Sequence, residues 1–289
     1  MEDRPLFNAA NFAKPAVIRI ADIPKDTLAF NPGAIKAKLE AERLAVVDLR
    51  SAPLGPLNAW SFSRLMEYES CPYSTYLAKV EKAPNPSGPA AERGTKIHTH
   101  IEGYIQGEHE EIIPEMKSFL PLINHLRDGY NEATVQIEGD WAFRRDWTVT
   151  GWTDRDCWAR VKLDAIEFEG PTSANVIDWK TGKKFGNELK HNQQAMTYAI
   201  AAFYRYPELE YVSTKMAYLD KSDELTGSYT RAQAMMLAPM LTERADKLTT
   251  ATKFPPKPSF QACRWCPHGK VQEGRERPAC DFAYENSLQ

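Results

Sequence analysis

Two short stretches place acids where strand packing has no use for them. VIDWKTGKK, Val176 to Lys184, ends an apolar run in Asp178, Lys180 and a Thr-Gly turn; KLDAI, Lys162 to Ile166, sets Asp164 within another apolar run. A hairpin turning near Pro171 puts Asp164 opposite Asp178. Opposite residues share a face, and Lys180, two residues on, shares it too. Two carboxylates facing each other repel, and a divalent cation removes that cost. Hard Mg²⁺ or Mn²⁺ takes few carboxylates and keeps waters and phosphate oxygens in its shell. Such an ion polarises a phosphodiester and lowers the pKa of a bound water. A neighbouring lysine could position or deprotonate that water, or neutralise charge developing on phosphorus. The chemistry expected is metal-assisted phosphodiester hydrolysis. Asp154 and Asp156, in GWTDRDC, read as loop charges, because the same register sends the partner of Asp154 beyond the Thr181-Gly182 turn.

A second group is made of thiols. Cys263 and Cys266 form a C-x-x-C in a proline-rich tail, Cys280 follows after a long gap, and Cys71 lies far upstream beside Pro72. Thiolates so spaced suit zinc or an iron–sulfur cluster, and His268 could take one cysteine's place on zinc. Cys157 falls on the face of Val161 and Leu163 and reads as a core residue.

The elements that must position these groups follow from periodicity. WSFSRLMEYESCPYSTYLAKV reads as a serine-capped helix broken at Cys71-Pro72. AAERGTKIHTHIEGYIQG carries Ile97, Ile101 and Tyr104 on one helical face. TVQIEGDWAF, CWARVKLDAIEF and ANVIDWKT are strands of a meander, with Ile177 and Trp179 turned to the core. ELKHNQQAMTYAIAAFYRY is a helix with an apolar stripe at Ala195, Met196, Ala199, Ile200 and Phe203. YVSTKMAYL is a strand, and a helix from Tyr229 carries Pro239, where a kink is expected. One helical piece is expected near Gly33 to Arg43. The order defines an α/β (α+β) core with a central mixed sheet flanked by helices. The expected divisions are an N-terminal extension of unassigned role (1–57), the core (58–250) and a cysteine-rich tail (251–289).

The 289 residues are 43% hydrophobic and 26% charged, with a net charge of -3. That is ordinary globular composition, and the balance does not point to nucleic acid or membrane, so any basic surface must be local. No apolar run reaches the roughly 20 residues a membrane span needs. The N-terminus does not read as a secretory signal. An intracellular, cytoplasmic protein with reduced thiols is expected.

With these residues in hand, a resemblance stands out. KLDAI followed by VIDWKTG resembles the core of the PD-(D/E)XK nucleases, in particular their RecB-like exonuclease branch. GTKIHTHIE is similar to that branch's upstream helix, which implies a metal-approaching histidine at His98, with Glu102 a turn later; His100 lacks the G-x-x-x-H spacing. QAMTY is similar to its Q-x-x-x-Y motif, which implies site roles for Gln194 and Tyr198, on the side of His191. Glu138 is a weaker candidate for the same site. SFSRLMEYESCP is similar to the helix that opens the domain. The resemblance runs from about Trp60 to Cys280. It implies a restriction-endonuclease-like core and a Mg²⁺- or Mn²⁺-dependent exonuclease acting on DNA, single-stranded or with free ends, in recombination, repair or replication. It also implies a [4Fe–4S] cluster on Cys71, Cys263, Cys266 and Cys280 that staples the tail to the N-terminal helix. The gap before Cys280 is longer than that pattern, which leaves Zn²⁺ open.

Local basic clusters fit a nucleic-acid path despite the acidic total. Lys183, Lys184 and Lys190 surround the acid pair, and Arg144, Arg145, Arg155, Arg160 and Lys162 lie on or near the strands before it. Lys253, Lys257, Arg264, Lys270, Arg275 and Arg277 lie in the tail. Tyr198, Trp152 and Trp265 could stack on unpaired bases. A non-catalytic nucleic-acid-binding subunit with a structural metal is the competing expectation. The sequence has no G-x-x-x-x-G-K-[ST], so unwinding would need a helicase or recombination partner.

Overall fold

The computed structural model describes residues 52–85, 87–271 and 275–284. All lie in the second of two units, 1–47 and 48–289, into which the chain divides. The helical piece expected near residues 33–43 lies outside the described residues.

Cys71 breaks the first helical stretch as expected, into α1 (Phe62–Ser70) and α2 (Pro72–Lys79). The Ser61 side chain caps α1 by accepting from the Arg64 amide, and Pro72 opens α2 where its missing N–H costs nothing. Then follow α3 (Pro89–Gln106), a 3₁₀ turn (Pro114–Phe119) and α4 (Leu120–Asn131). The strands are β1 (Val135–Phe143), the two-residue β2 (Val149–Thr150), β3 (Ala159–Phe168) and β4 (Ser173–Lys180). Helix α5 (Glu188–Arg205) crosses over to β5 (Tyr211–Tyr218), which turns back into β6 (Asp223–Thr230). Helix α6 (Arg231–Thr249) opens with a Thr230–Gln233 capping box and runs on through Pro239; the short α7 (Phe260–Arg264) lies in the tail.

The sheet order is β2-β1-β3-β4-β5-β6, antiparallel throughout except for the parallel β4–β5 pair joined by α5. This is the mixed sheet expected. Two apolar clusters cover its faces. One gathers Leu163, Ile166 and Val176 with α5 and α6 residues such as Ile200, Phe203 and Leu241. The other gathers Ala165, Ile177 and Trp179 with Ile97 and Ile101 of α3 and Ile123 and Leu126 of α4. Strand β4 is therefore buried on both sides, as a strand inside a helix-flanked sheet must be. Cys157 is buried, and its thiol reaches the Ala159 carbonyl. Among the described residues no helix is long and apolar enough to cross a membrane.

Simple alternation fails at one place. Leu163 and Ile166, three apart on β3, pack in the same cluster, while Ala165 packs in the other. The β1–β3 ladder runs from Val135–Glu167 to Phe143–Ala159 and omits only the pair Glu138 and Asp164. Glu138 has φ +49°, the left-handed region, and is followed by Gly139. Both strands turn over there, and Asp164 sits at the turnover.

Candidate active site

Asp164 and Asp178 meet where β3 and β4 part. Their ladder keeps the expected register as far as Ala165–Ile177. Beyond it, Asp164 Oδ2 accepts a hydrogen bond from the Trp179 amide at 2.7 Å, in place of the next rung. Asp164 Oδ1 lies 3.1 Å from His98 Nδ1, on the helix that the G-x-x-x-H spacing pointed to. His100 goes elsewhere, to the Glu111 carbonyl at 2.9 Å. Asp154 accepts from Thr150 Oγ1 and the Gly151 amide, both at 2.8 Å, and so closes its own loop; Asp156 pairs with Arg144. Asp164 lies close enough to Asp178 for their charges to act on each other, although the pair is not itself a rung of the ladder.

Asp178 is 4% exposed and anchors a closed ring of contacts. Tyr198 Oη donates to its Oδ1 at 2.7 Å, Gln194 Nε2 donates to Tyr198 Oη at 2.7 Å, and Lys180 Nζ donates to Gln194 Oε1 at 2.9 Å. Lys180 Nζ closes the ring as an ion pair, 2.5 Å from Asp178 Oδ2, a buried oxygen with no hydrogen-bond partner among the described residues. The four-residue spacing of Gln194 and Tyr198 puts both on the side of α5 that meets the strand end. The sequence set them apart from the apolar stripe, yet Tyr198 is as buried as the stripe itself. The Thr181-Gly182 turn ends β4 with Gly182 at φ +95°, and its amide is held by Asp220 at 2.7 Å.

Electrostatics follow from this crowding. Burial and the charge of Asp178 push the Asp164 carboxyl above the ordinary range, against the pull of His98. Burial alone would lower His98, but the hydrogen bond and charge of Asp164 outweigh it and leave the imidazole raised. Burial and both acids hold the Tyr198 phenol far above its usual value, so it stays a donor. His191, bonded to Tyr218 Oη at 2.6 Å, is pushed down to about 4 by burial and by Lys180, so it is neutral. Glu102 and Glu138 share a small pocket with His98 and Asp164; burial and Glu138 raise the Glu102 carboxyl.

Among the described residues, no group of three or more His, Cys, Asp or Glu side chains stands in an arrangement that could hold a metal ion. The donors fit a hard cation by their chemistry: two facing carboxylates, one with an oxygen met only by an ammonium, and an imidazole beside them.

A cleft of about 350 Å³ leads to Gln194 and Tyr198 and is lined also by Trp60, Arg64, Trp152 and Arg160. Arg160 donates to the Trp152 carbonyl at 3.1 Å and lies over its ring. Among the described residues neither Arg64 nor Arg160 has an ion pair, and burial with the nearby Arg160 lowers the pKa of Arg64. Among the described residues, Trp60 Nε1 and Arg64 Nε are buried donors without hydrogen-bond partners. Sequence reasoning passed over Arg64, although an arginine three residues after the Ser61 cap, on the opening helix, was the available signal. The other expected basic contacts divide. Lys183 and Lys190 are exposed. Lys184 is tied to Asp223 at 2.9 Å and Lys162 to Glu138 at 2.8 Å. Arg145 is spent on a buried pair with Asp246 at 2.7 Å.

Cys71, Cys263, Cys266 and Cys280 line one small cavity, with His268 among them. Four soft donors around one space fit zinc or an iron–sulfur cluster.

A mixed sheet with helices on both faces, and two acids and a lysine at the parting of an antiparallel pair, defines a nuclease-type core. The model of the PD-(D/E)XK nuclease superfamily matches residues 59–271, and the chain belongs to that superfamily. Its reaction class is therefore hydrolysis of phosphodiester bonds in nucleic acid. No curated protein matches. Among solved structures, the chain is similar to SSO0001 at 18% identity and a TM-score of 0.42, over 80% of this chain and 90% of that one. A protein of Eubacterium rectale named as a candidate exonuclease is 14% identical, TM-score 0.45, over 75% and 90%. The alkaline exonuclease of Laribacter hongkongensis is 12% identical, TM-score 0.31, over 66% and 90%.

Proposed function

We propose that this chain is a divalent-metal-dependent DNA exonuclease of the RecB-like branch, cutting single-stranded DNA or frayed ends. The observation that carries the reading is the closed ring Asp178–Lys180–Gln194–Tyr198 beside the His98–Asp164 pair. Asp164, Asp178 and His98 would hold Mg²⁺ or Mn²⁺, which polarises the phosphodiester and acidifies a bound water.

The chain's own residues do the rest. The Trp179 amide and His98 fix the Asp164 carboxylate. Tyr198, held as a donor, fixes the Asp178 carboxylate. Gln194 holds Lys180 beside the acids, where an ammonium can neutralise charge on phosphorus or an amine can orient the attacking water. Arg64 and Arg160 offer charge to backbone phosphates in the cleft, and Trp152 offers a ring to an unpaired base. Lys183 and Lys190 extend the basic path, and Lys184 and Lys162 join it by exchanging their acid partners for phosphate. The preference for DNA and for ends rests on the resemblance alone.

The four cysteines would hold a [4Fe–4S] cluster or Zn²⁺ that staples the tail to the α1–α2 junction. The division into an N-terminal extension (1–57), nuclease core (58–250) and cluster segment (251–289) belongs to this reading. So do a cytoplasmic setting in recombination, repair or replication and a helicase partner.

Incubation with end-labelled linear and covalently closed circular single-stranded DNA, with Mg²⁺, Mn²⁺ or chelator, tests it. Linear DNA should be degraded only with metal, circular DNA spared, and Asp178→Ala inactive though folded. Intact linear DNA, or equal degradation by the variant, would leave a non-catalytic nucleic-acid-binding subunit as the better account.

A further inference from the structure

His268 is 1% exposed, and among the described residues neither ring nitrogen has a hydrogen-bond partner. Burying a polar group without a partner is unfavourable, because its lost hydrogen bonds to water are not replaced. Here it is buried in the wall of the cavity that the four cysteines line. Imidazole is a common metal ligand.

The local chain shape favours the same assignment. Cys263, Cys266 and His268 lie within six residues. The Cys266 amide bonds the Cys263 carbonyl at 3.1 Å, and Pro267–Gly269 is a 3₁₀ turn. Three donors are thus carried on one short, hydrogen-bonded segment. The Cys280 amide bonds the His268 carbonyl at 2.9 Å, which ties the distant thiol to the histidine and not to the C-x-x-C. Two of the thiols, unlike the imidazole, already have outer contacts. The Lys257 amide donates to Cys71 Sγ at 3.4 Å, and Ser74 Oγ lies 3.6 Å from Cys266 Sγ. Donors of this kind commonly support metal-bound thiolates.

We infer that His268 is itself a ligand of the tail's metal centre, bound through a ring nitrogen, so that thiolate and imidazole hold the ion together. The cavity then has five donor side chains, and one cysteine is in excess of a four-ligand centre. This rests on the metal-centre part of the proposed function and is independent of the nuclease site.

Full-length protein, labelled with ¹⁵N-histidine and purified without air, is analysed for iron, sulfide and zinc. With iron, pulsed EPR of the reduced protein should show a strongly coupled ¹⁵N that disappears in His268→Ala. With zinc, X-ray absorption should show sulfur plus one imidazole, and sulfur alone in the variant. The wild-type spectrum decides the matter even if the variant does not fold. Metal at full stoichiometry with sulfur-only ligation would overturn the assignment of His268 and leave the centre standing. Protein without metal would overturn both.

Discussion

Asp164 carries two opposed demands. To hold a cation, as proposed, it would have to be ionised, yet burial and Asp178 disfavour its charge. A carboxyl whose folded pKa is raised stabilises the fold below the ordinary carboxylate range, and that contribution is lost as pH rises through the raised value. His98, also raised, adds stability at low pH that is lost as pH rises through its own folded value. In chelator, once pH has risen past both folded values, these contributions are gone and the two acids repel. Asp164→Asn should then be more stable than wild type, by roughly 0.2–1 kcal/mol, the scale on which cross-strand charge pairs act. Near pH 5.5, with His98 protonated against Asp164, the difference should shrink or reverse. Mg²⁺ should raise wild-type stability and leave the variant unmoved. Urea unfolding across pH, with and without Mg²⁺, reads all three; a gap that does not change with pH would refute the electrostatic account.

At the scale of elements, the site depends on two strands turning over together at Glu138 and Asp164. Gly139 makes room for this. A Cβ there would lie 2.8 Å from Trp141 Nε1 and 3.2 Å from Leu163 Cγ. Gly139→Ala should cost about 1–3 kcal/mol, as overpacking does. Leu163 adjoins Asp164, so on the proposed reading, which assigns DNA affinity to the cleft, the variant should lose nuclease rate while binding is kept. Binding by fluorescence anisotropy in chelator and cleavage in Mg²⁺ separate the two. Loss of both together would mean that the sheet, not the site, had failed.

For the molecule as a whole, the tail after α6 leans on the α1–α2 junction through few apolar contacts, among them the Tyr73–Phe282 and Tyr76–Phe254 rings. A metal among the cysteines would join segments about two hundred residues apart in sequence, and its binding energy would count as folding energy. Cys263→Ser should lower Tm on the order of 5–10 °C, a few kcal/mol for a chain this size. Trypsin should then cut first within 257–277 while the sheet stays protected. Unchanged Tm and cleavage would remove the structural role of the centre.

How much of this was legible depends on how local each signal is. The register of the β3–β4 hairpin follows from one turn and strict alternation, so Asp164 was paired with Asp178 from sequence. The four-residue spacing of Gln194 and Tyr198 fixes a helical side in the same way. Helix α4 was not read from its proline-interrupted segment. Strand β6, DELTGSYT, lacks an apolar period because it is an exposed edge, and it was missed. The turnover at Asp164 was also missed, since alternation carries no record of where a strand changes faces.

The sequence by itself determined the chemistry available: facing carboxylates, a lysine, a helix histidine, a C-x-x-C. These depend on residue type and near-neighbour spacing, which the backbone's two periods convert directly into direction. Only the tertiary structure decided that Arg64 and Arg160 share a cleft, that Arg145 and Lys184 are spent on ion pairs, and that His268 is buried unpartnered among thiols. Those facts depend on which distant elements pack together, and burial and partnership are properties of the packed chain, not of any segment.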